Sequence, residues 1–112
     1  MAIKSKLETL HALGAEITSG NGVGVNCRSN QGAVYLSVTG VGNSPDTLDV
    51  TVEENNSGQW YTVATFAQVA NSITTERVAL TGFYGNNLRA AWTLSGGTPG
   101  FIFEVTFAGE ET

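Results

Sequence analysis

The chain has a single cysteine, Cys27, so no disulfide can form within it and a disulfide-stapled scaffold is excluded. It is also short of basic residues: there are five, with no lysine after Lys6. Phosphate binding needs clustered Lys and Arg, so this scarcity and the net charge of −5 argue against nucleic acid as a partner. No apolar run has the length of a membrane-spanning helix, and no membrane partner is expected. Nor do the first residues read as a secretion signal, because Lys4 and Lys6 lead into Leu7-Glu8-Thr9-Leu10 rather than a continuous apolar stretch. Charged residues make up 13% of the chain, where soluble domains average about 25%. Thr, Ser, Asn and Gly fill the deficit and give a neutral polar surface, of a kind common where a protein packs against neighbours or sits outside a cell, and common also among all-β domains in general.

Catalytic and ligand-binding signatures are equally scarce. His11 is the only histidine, and nothing in the sequence places it beside Cys27 with the orienting partner that a nucleophile–base pair needs. Cys27 itself reads as the half-buried end of a short strand. Gly20-Asn21-Gly22-Val23-Gly24 lacks the Lys-Ser/Thr ending and the following helix of a phosphate-binding loop, and reads as a hairpin turn. Asp46, Asp49, Glu53 and Glu54 are not spaced as the compact oxygen-rich loop that calcium requires. Neither enzymatic activity, nor a metal, nor a cofactor is expected.

What is present is alternation. With 112 residues the chain suits one domain: residues 1–7 as an N-terminal arm or the start of a first strand, and residues 8–112 as a single β-domain. The organising stretch is Leu48–Phe66. Leu48, Val50 and Val52 alternate with Asp49, Thr51 and Glu53, which gives a strand one apolar and one wet face. Asn55-Asn56-Ser57-Gly58 is turn chemistry. Beyond it Trp60, Thr62, Ala64 and Phe66 share one side of a second strand, and the pair reads as a hairpin with a four- or five-residue loop.

The same pattern recurs on either side. Leu7, Leu10, Leu13 and Ile17 have helical spacing but Gly14 interrupts them, so Leu7–Leu13 reads as helix or strand and Gly14–Thr18 as strand. Ser19–Gly22 is a turn, Val23–Arg28 a short strand and Ala33–Val41 a clear one. Gln68–Thr74 is a polar crossing between sheets, followed by strands over Thr75–Leu80, Leu88–Leu94 and Phe101–Phe107. About eight short strands with regular turn signals predict an all-β antiparallel sandwich or barrel. Its core should contain Trp60, Phe66, Trp92, Phe101, Phe103 and Phe107.

Candidate contact residues follow from surface position. Lys4 and Lys6 form a locally basic N-terminus, suited to an acidic partner or simply solvated. Phe83, Tyr84 and Asn86 sit in the Gly/Asn-rich loop Thr81–Asn87, where an aromatic either anchors an interface or plugs the sandwich. Tyr35, Tyr61 and Ile102 point outward and would form a patch if they cluster.

Three segments, LDVTVEENNSGQWYTVATFAQV, TERVALTG and LRAAWTLSGGTPGFIFEVTF, together resemble small jelly-roll decoration (cement) proteins from tailed-bacteriophage capsids. The residues carrying the resemblance include Leu48, Val50, Val52, Glu53, Gly58 and Trp60, then Phe66, Gln68, Leu88, Arg89 and Trp92, and finally Pro99, Phe101 and Phe103. It covers roughly Ala33 to Phe107. Asn87 departs from the pattern, which has an aromatic before Leu88. The resemblance implies a jelly-roll β-sandwich on the outer surface of the capsid, bridging major capsid proteins and associating with itself as a dimer or trimer at a symmetry axis. The alternative reading is a carbohydrate-binding module or a tail or connector component of the virion. A sugar site would need Tyr35, Tyr61 and Tyr84 together on one face.

Overall fold

A computed structural model describes residues 5–29, 31–41, 46–70, 72–81, 84–96 and 100–110. The described residues form nine strands: β1 (Ser5–Glu16), β2 (Gly20–Asn21), β3 (Val25–Asn26), β4 (Gly32–Gly40), β5 (Thr47–Asn56), β6 (Gln59–Thr65), β7 (Thr74–Leu80), β8 (Asn87–Ser95) and β9 (Phe101–Glu110). They build two antiparallel sheets packed face to face. The first has the order β1-β9-β4-β7, and the second β2-β8-β5-β6 with β3 also on β8. The domain measures 49 × 31 × 20 Å.

Between the sheets lies one apolar core. Phe101, Phe103, Val105 and Phe107 of β9 and Val34, Leu36 and Val38 of β4 face Leu48, Val50 and Val52 of β5 and Leu88, Ala90 and Trp92 of β8, all of them buried. These are the central strands of both sheets, and alternation at these positions is what lets each present one face inward. Phe103 is fully buried, with the His11 ring stacked on it at 4.1 Å and the Trp92 ring edge-on at 5.8 Å.

At the sheet edges the expectations need correction. Residues 7–13 are strand, continuous with 14–16 in β1. Ser5, Lys6 and Leu7 pair with Glu110, Gly109 and Ala108, so this part of the N-terminal arm belongs to the sheet, while residues 1–4 lie outside the described residues. The misleading helical spacing comes from two register irregularities, between Thr9 and His11 and between His11 and Gly14. Each inserts a residue and stretches the period from two toward three. Of the four aliphatic residues on that spacing only Leu10 is buried; Leu7, Leu13 and Ile17 are exposed. The turn expected at Ser19–Gly22 contains β2. The strand expected at Val23–Arg28 shrinks to β3, with Val23 thrown outward and Cys27 fully rather than half buried.

A third irregularity moves Trp60 out of the core. Val52 pairs with Ala64 but Glu53 pairs with Thr62, so Val63 is the extra residue of a bulge. A one-residue slip exchanges the two faces of everything beyond it. Ala64 and Phe66 remain inside, whereas Trp60 and Thr62 join Glu53 on the outer face, and Tyr61, expected to point outward, pairs with Glu54 on the opposite side of the strand while staying exposed. The hairpin loop is also tighter than expected: Ser57 and Gly58 form a two-residue turn with φ of 55° and 82°, the doubly positive combination of a type I′ turn, which glycine adopts without strain.

Every edge is thus interrupted. β1 and β6 carry bulges and the β2–β3 edge is split. On β7, Glu76 stands opposite core-facing Leu36 and its Oε1 accepts a hydrogen bond from the Ala67 amide at 2.9 Å. Bulges and inward-turned charges discourage edge-to-edge pairing of strands.

Candidate functional site

Two surfaces gather the residues singled out above. The first is the end of the sandwich where β1 begins and the β5–β6 hairpin closes. The loop after β3 and the loop before β8 are laced together here. The Cys27 amide donates to the Asn86 carbonyl at 2.6 Å, the Glu110 amide to the Gln31 carbonyl at 2.9 Å, and the Ser29 and Tyr84 hydroxyls lie 2.6 Å apart. The Gly85 amide donates to Glu54 Oε1, which ties the same loop to β5. Lys6, Tyr61, and Tyr84 with Asn86 therefore come from three separate stretches to one end. Lys4 and Phe83 lie outside the described residues.

The roles of these residues differ. Tyr84 is half-buried with its ring edge-on to Phe107 at 6.3 Å, so it plugs the sandwich rather than projecting as an anchor. Asn86 is exposed and Tyr61 is 54% exposed. Lys6 Nζ lies 3.3 Å from Glu8 Oε2. Arg28 and Arg89 occupy the same end, whereas Glu16, Asp46 and Asp49 lie toward the other, where no described lysine or arginine is found.

The second surface is the outer face of the first sheet, whose register can be read in rows. Thr9, Thr106, Tyr35 and Arg77 stand side by side across β1, β9, β4 and β7. One pleat along are Glu104, Ser37 and Thr75; one pleat back are Leu7, Ala108, Ala33 and Ala79. Arg77 and Glu104 are the only charges in these rows. Tyr35 is the ridge between two shallow grooves, one of about 310 Å³ against Thr75 and Arg77 and one of about 340 Å³ against Leu7, Thr9 and Thr106. Arg77 Nε donates to the Tyr35 hydroxyl at 3.3 Å, and its guanidinium is 5.9 Å from the ring centre. Ile102 is on the same face, opposite Ala15. Tyr35 and Ile102 thus share a face, but Tyr61 belongs to the other sheet and Tyr84 to the loop end. The three tyrosines form no common platform.

Sequence reasoning missed a cluster on the outer face of the second sheet. Arg89 Nε donates to Glu53 Oε1 at 2.8 Å, and its guanidinium lies 4.1 Å from the centre of the Trp60 ring. Gly24 lets the indole lie flat, since a Cβ there would sit 3.0 Å from its far edge. The signal was available: Glu53, Trp60 and Arg89 all carry the resemblance described above, and outward Glu53 and Arg89 on neighbouring strands invite pairing.

The two groups with catalytic potential are both occupied structurally. His11 is buried. Its Nδ1–H donates to the Phe103 carbonyl at 3.1 Å, and its Nε2 lies 2.7 Å from Glu16 Oε2. Burial pushes the Cys27 thiol up to about 12, with the Glu8 carboxylate adding to the rise and Lys6 opposing it. The reactive form of a cysteine is the thiolate, so a thiol held this way is a poor nucleophile. Comparisons with family models, with curated proteins and with solved structures find no match to this chain.

Proposed function

We propose that the chain is a decoration (cement) protein of a tailed-phage capsid, bound to the outside of the head through the loop end. The observation that carries this reading is the convergence there of Lys6, Tyr61 and Asn86 with Arg28 and Arg89. It gives a mixed polar and aromatic surface built from distant stretches and backed by a rigid sandwich. The likeness of residues 33–107 to decoration proteins supports it. So does the strand order: if β2 and β3 count as one interrupted strand, two four-stranded sheets ordered 1-9-4-7 and (2,3)-8-5-6 fit the eight-strand, double Greek-key jelly roll. Many copies on a symmetric shell would gain from multivalency even if each contact were modest. The sugar-binding alternative gains no support, because its three tyrosines are dispersed.

The test is binding of the purified protein to expanded heads of a phage that encodes it, stripped of the protein, with stoichiometry read by mass. Saturation at an icosahedral multiple of copies is expected. Heads that take up no protein would overturn the reading.

A further inference from the structure

His11 is the only histidine of the chain. It is buried, and both of its ring nitrogens meet acceptors: Nδ1 lies 3.1 Å from the Phe103 carbonyl and Nε2 2.7 Å from Glu16 Oε2. Neither a carbonyl nor a carboxylate can donate, and a neutral imidazole carries one N–H with a lone pair on its other nitrogen. In either tautomer of the neutral ring, one of the two contacts sets lone pair against lone pair. One further proton removes the conflict. We propose that His11 is an imidazolium in the folded chain and works as a proton-dependent clamp on β1. This goes beyond the head-binding reading and stands whether or not the chain binds heads.

The surroundings of the ring favour this state. The 2.7 Å contact has the length of a charge-assisted hydrogen bond. The Phe103 ring lies nearly parallel to the imidazole, 10° off at 4.1 Å, and the face of an aromatic ring attracts a cation. The Glu16 side chain is 31% exposed, so water keeps its carboxylate ionised and the proton stays on the ring. The neighbouring charges are turned away or engaged elsewhere. On β8 the residue against the ring is Trp92, while Arg89 stands on the outer face; on β9 Glu104 likewise stands outside. β2 and β3 contain no titratable residue, Asp46 lies against Gly96 beyond the end of β8, and Glu8 of β1 acts with Lys6 on the Cys27 thiol. The clamp sits where β1 needs one. His11 pairs with Val105 and Gly14 with Phe103, so β1 carries one residue more than β9 over this stretch. The ring spans that irregularity, reaching the Phe103 carbonyl on β9 and the Glu16 carboxylate further along β1. Loss of the proton frees the part of the edge strand that the backbone ladder holds least.

Above about pH 6.5 an unfolded histidine is neutral and an unfolded glutamate is ionised. The folded chain then holds one proton more than the unfolded chain, so its stability is fully present below that pH and falls as pH rises, until the folded chain releases the proton too. While the difference is one proton, the folding equilibrium constant drops about tenfold per pH unit. Cys27 acts in the same direction only above about pH 9, where an unfolded thiol ionises and the buried one, pushed up to about 12, does not. Denaturant titrations of the full chain between about pH 6.5 and 8.5, beside Glu16→Gln, test the clamp. The side-chain amide of that variant can donate to Nε2 of a neutral imidazole, so it keeps the geometry without the extra proton. From about pH 7 to 8 the wild type should lose about tenfold in its folding constant and Glu16→Gln should stay level. A wild type as level as the variant, or a variant as steep as the wild type, overturns the proposal. Proton–nitrogen NMR of the single histidine at about pH 7.5 needs no variant: both ring nitrogens should carry a proton, where a free histidine is mostly neutral. A ring with one proton at that pH overturns the proposal as well.

Discussion

Trp60 and Tyr35 pose the same problem on opposite outer faces of the sandwich. Each is an aromatic beside an arginine on a nearby strand. Around Trp60 the problem is solved within the chain: Arg89 covers the ring at 4.1 Å, Glu53 holds Arg89 at 2.8 Å, and Gly24 leaves room for the far edge of the indole. Around Tyr35 it is left open. Arg77 approaches only to 5.9 Å, the guanidinium has no carboxylate within ion-pair distance among the described residues, and the flanking grooves are unfilled. An exposed aromatic with its own cover reads as part of the fold, whereas one without cover reads as part of a surface.

Three experiments of decreasing effect test that contrast. The core beneath both faces sets the scale: Phe103→Ala removes the ring on which His11 stacks and should cost about 3–5 kcal/mol in a denaturant titration. If it cost no more than an outer-face change, the distinction between inside and outside would collapse. Next, Trp60→Ala should cost about 2 kcal/mol, while Tyr35→Ala, measured on monomer, should stay within about 0.5 kcal/mol. Equal losses would erase the contrast between the two faces. The smallest effect concerns the arginines. A double-mutant cycle between Glu53 and Arg89 should give a coupling of about 0.5–1 kcal/mol, and one between Glu104 and Arg77 in the monomer none. A comparable coupling for the second pair would mean that the first sheet's outer face is also closed within one chain.

What could be read from the sequence follows the position of each strand in its sheet. The central strands β4, β5, β8 and β9 were legible because they have a neighbour on both sides. Where two partners hold a strand in register it keeps strict alternation, and Phe101, Phe103, Val105 and Phe107 display it; the irregularity on β4, between Val38 and Gly40, falls where that strand has run past its last partner on β7. Of the edge strands, β7 carries no bulge and matches the expected Thr75–Leu80, whereas β1, β6 and β2–β3 were misread. Each has one free side on which a residue can be inserted without breaking a ladder, and the insertions at Leu10, around Leu13 and at Val63 shift the period locally. One bulge at Val63 was enough to turn Trp60 from an expected core residue into an outer-face residue. Of the candidate contact residues, outward Tyr35 and Ile102 were correctly placed from alternation. The plugging of the sandwich by Tyr84 depended on Ser29 and Phe107, far away in sequence, and could be posed only as one of two options.

The sequence by itself determined the class of the molecule: alternating apolar positions punctuated by Gly, Asn and Ser leave an antiparallel all-β sandwich or barrel as the way to bury its aromatic residues. It determined the central strands and the scarcity of charge. The tertiary structure alone decided which exposed side chains are covered. Cover for an outer-face ring comes from residues on other strands, as Arg89 and Gly24 do for Trp60, and their approach depends on register and bulges that carry no periodic signature. It likewise decided that the first sheet, rather than the second, presents an open face, because Leu7 and Tyr35 line one groove only when β1, β9 and β4 align.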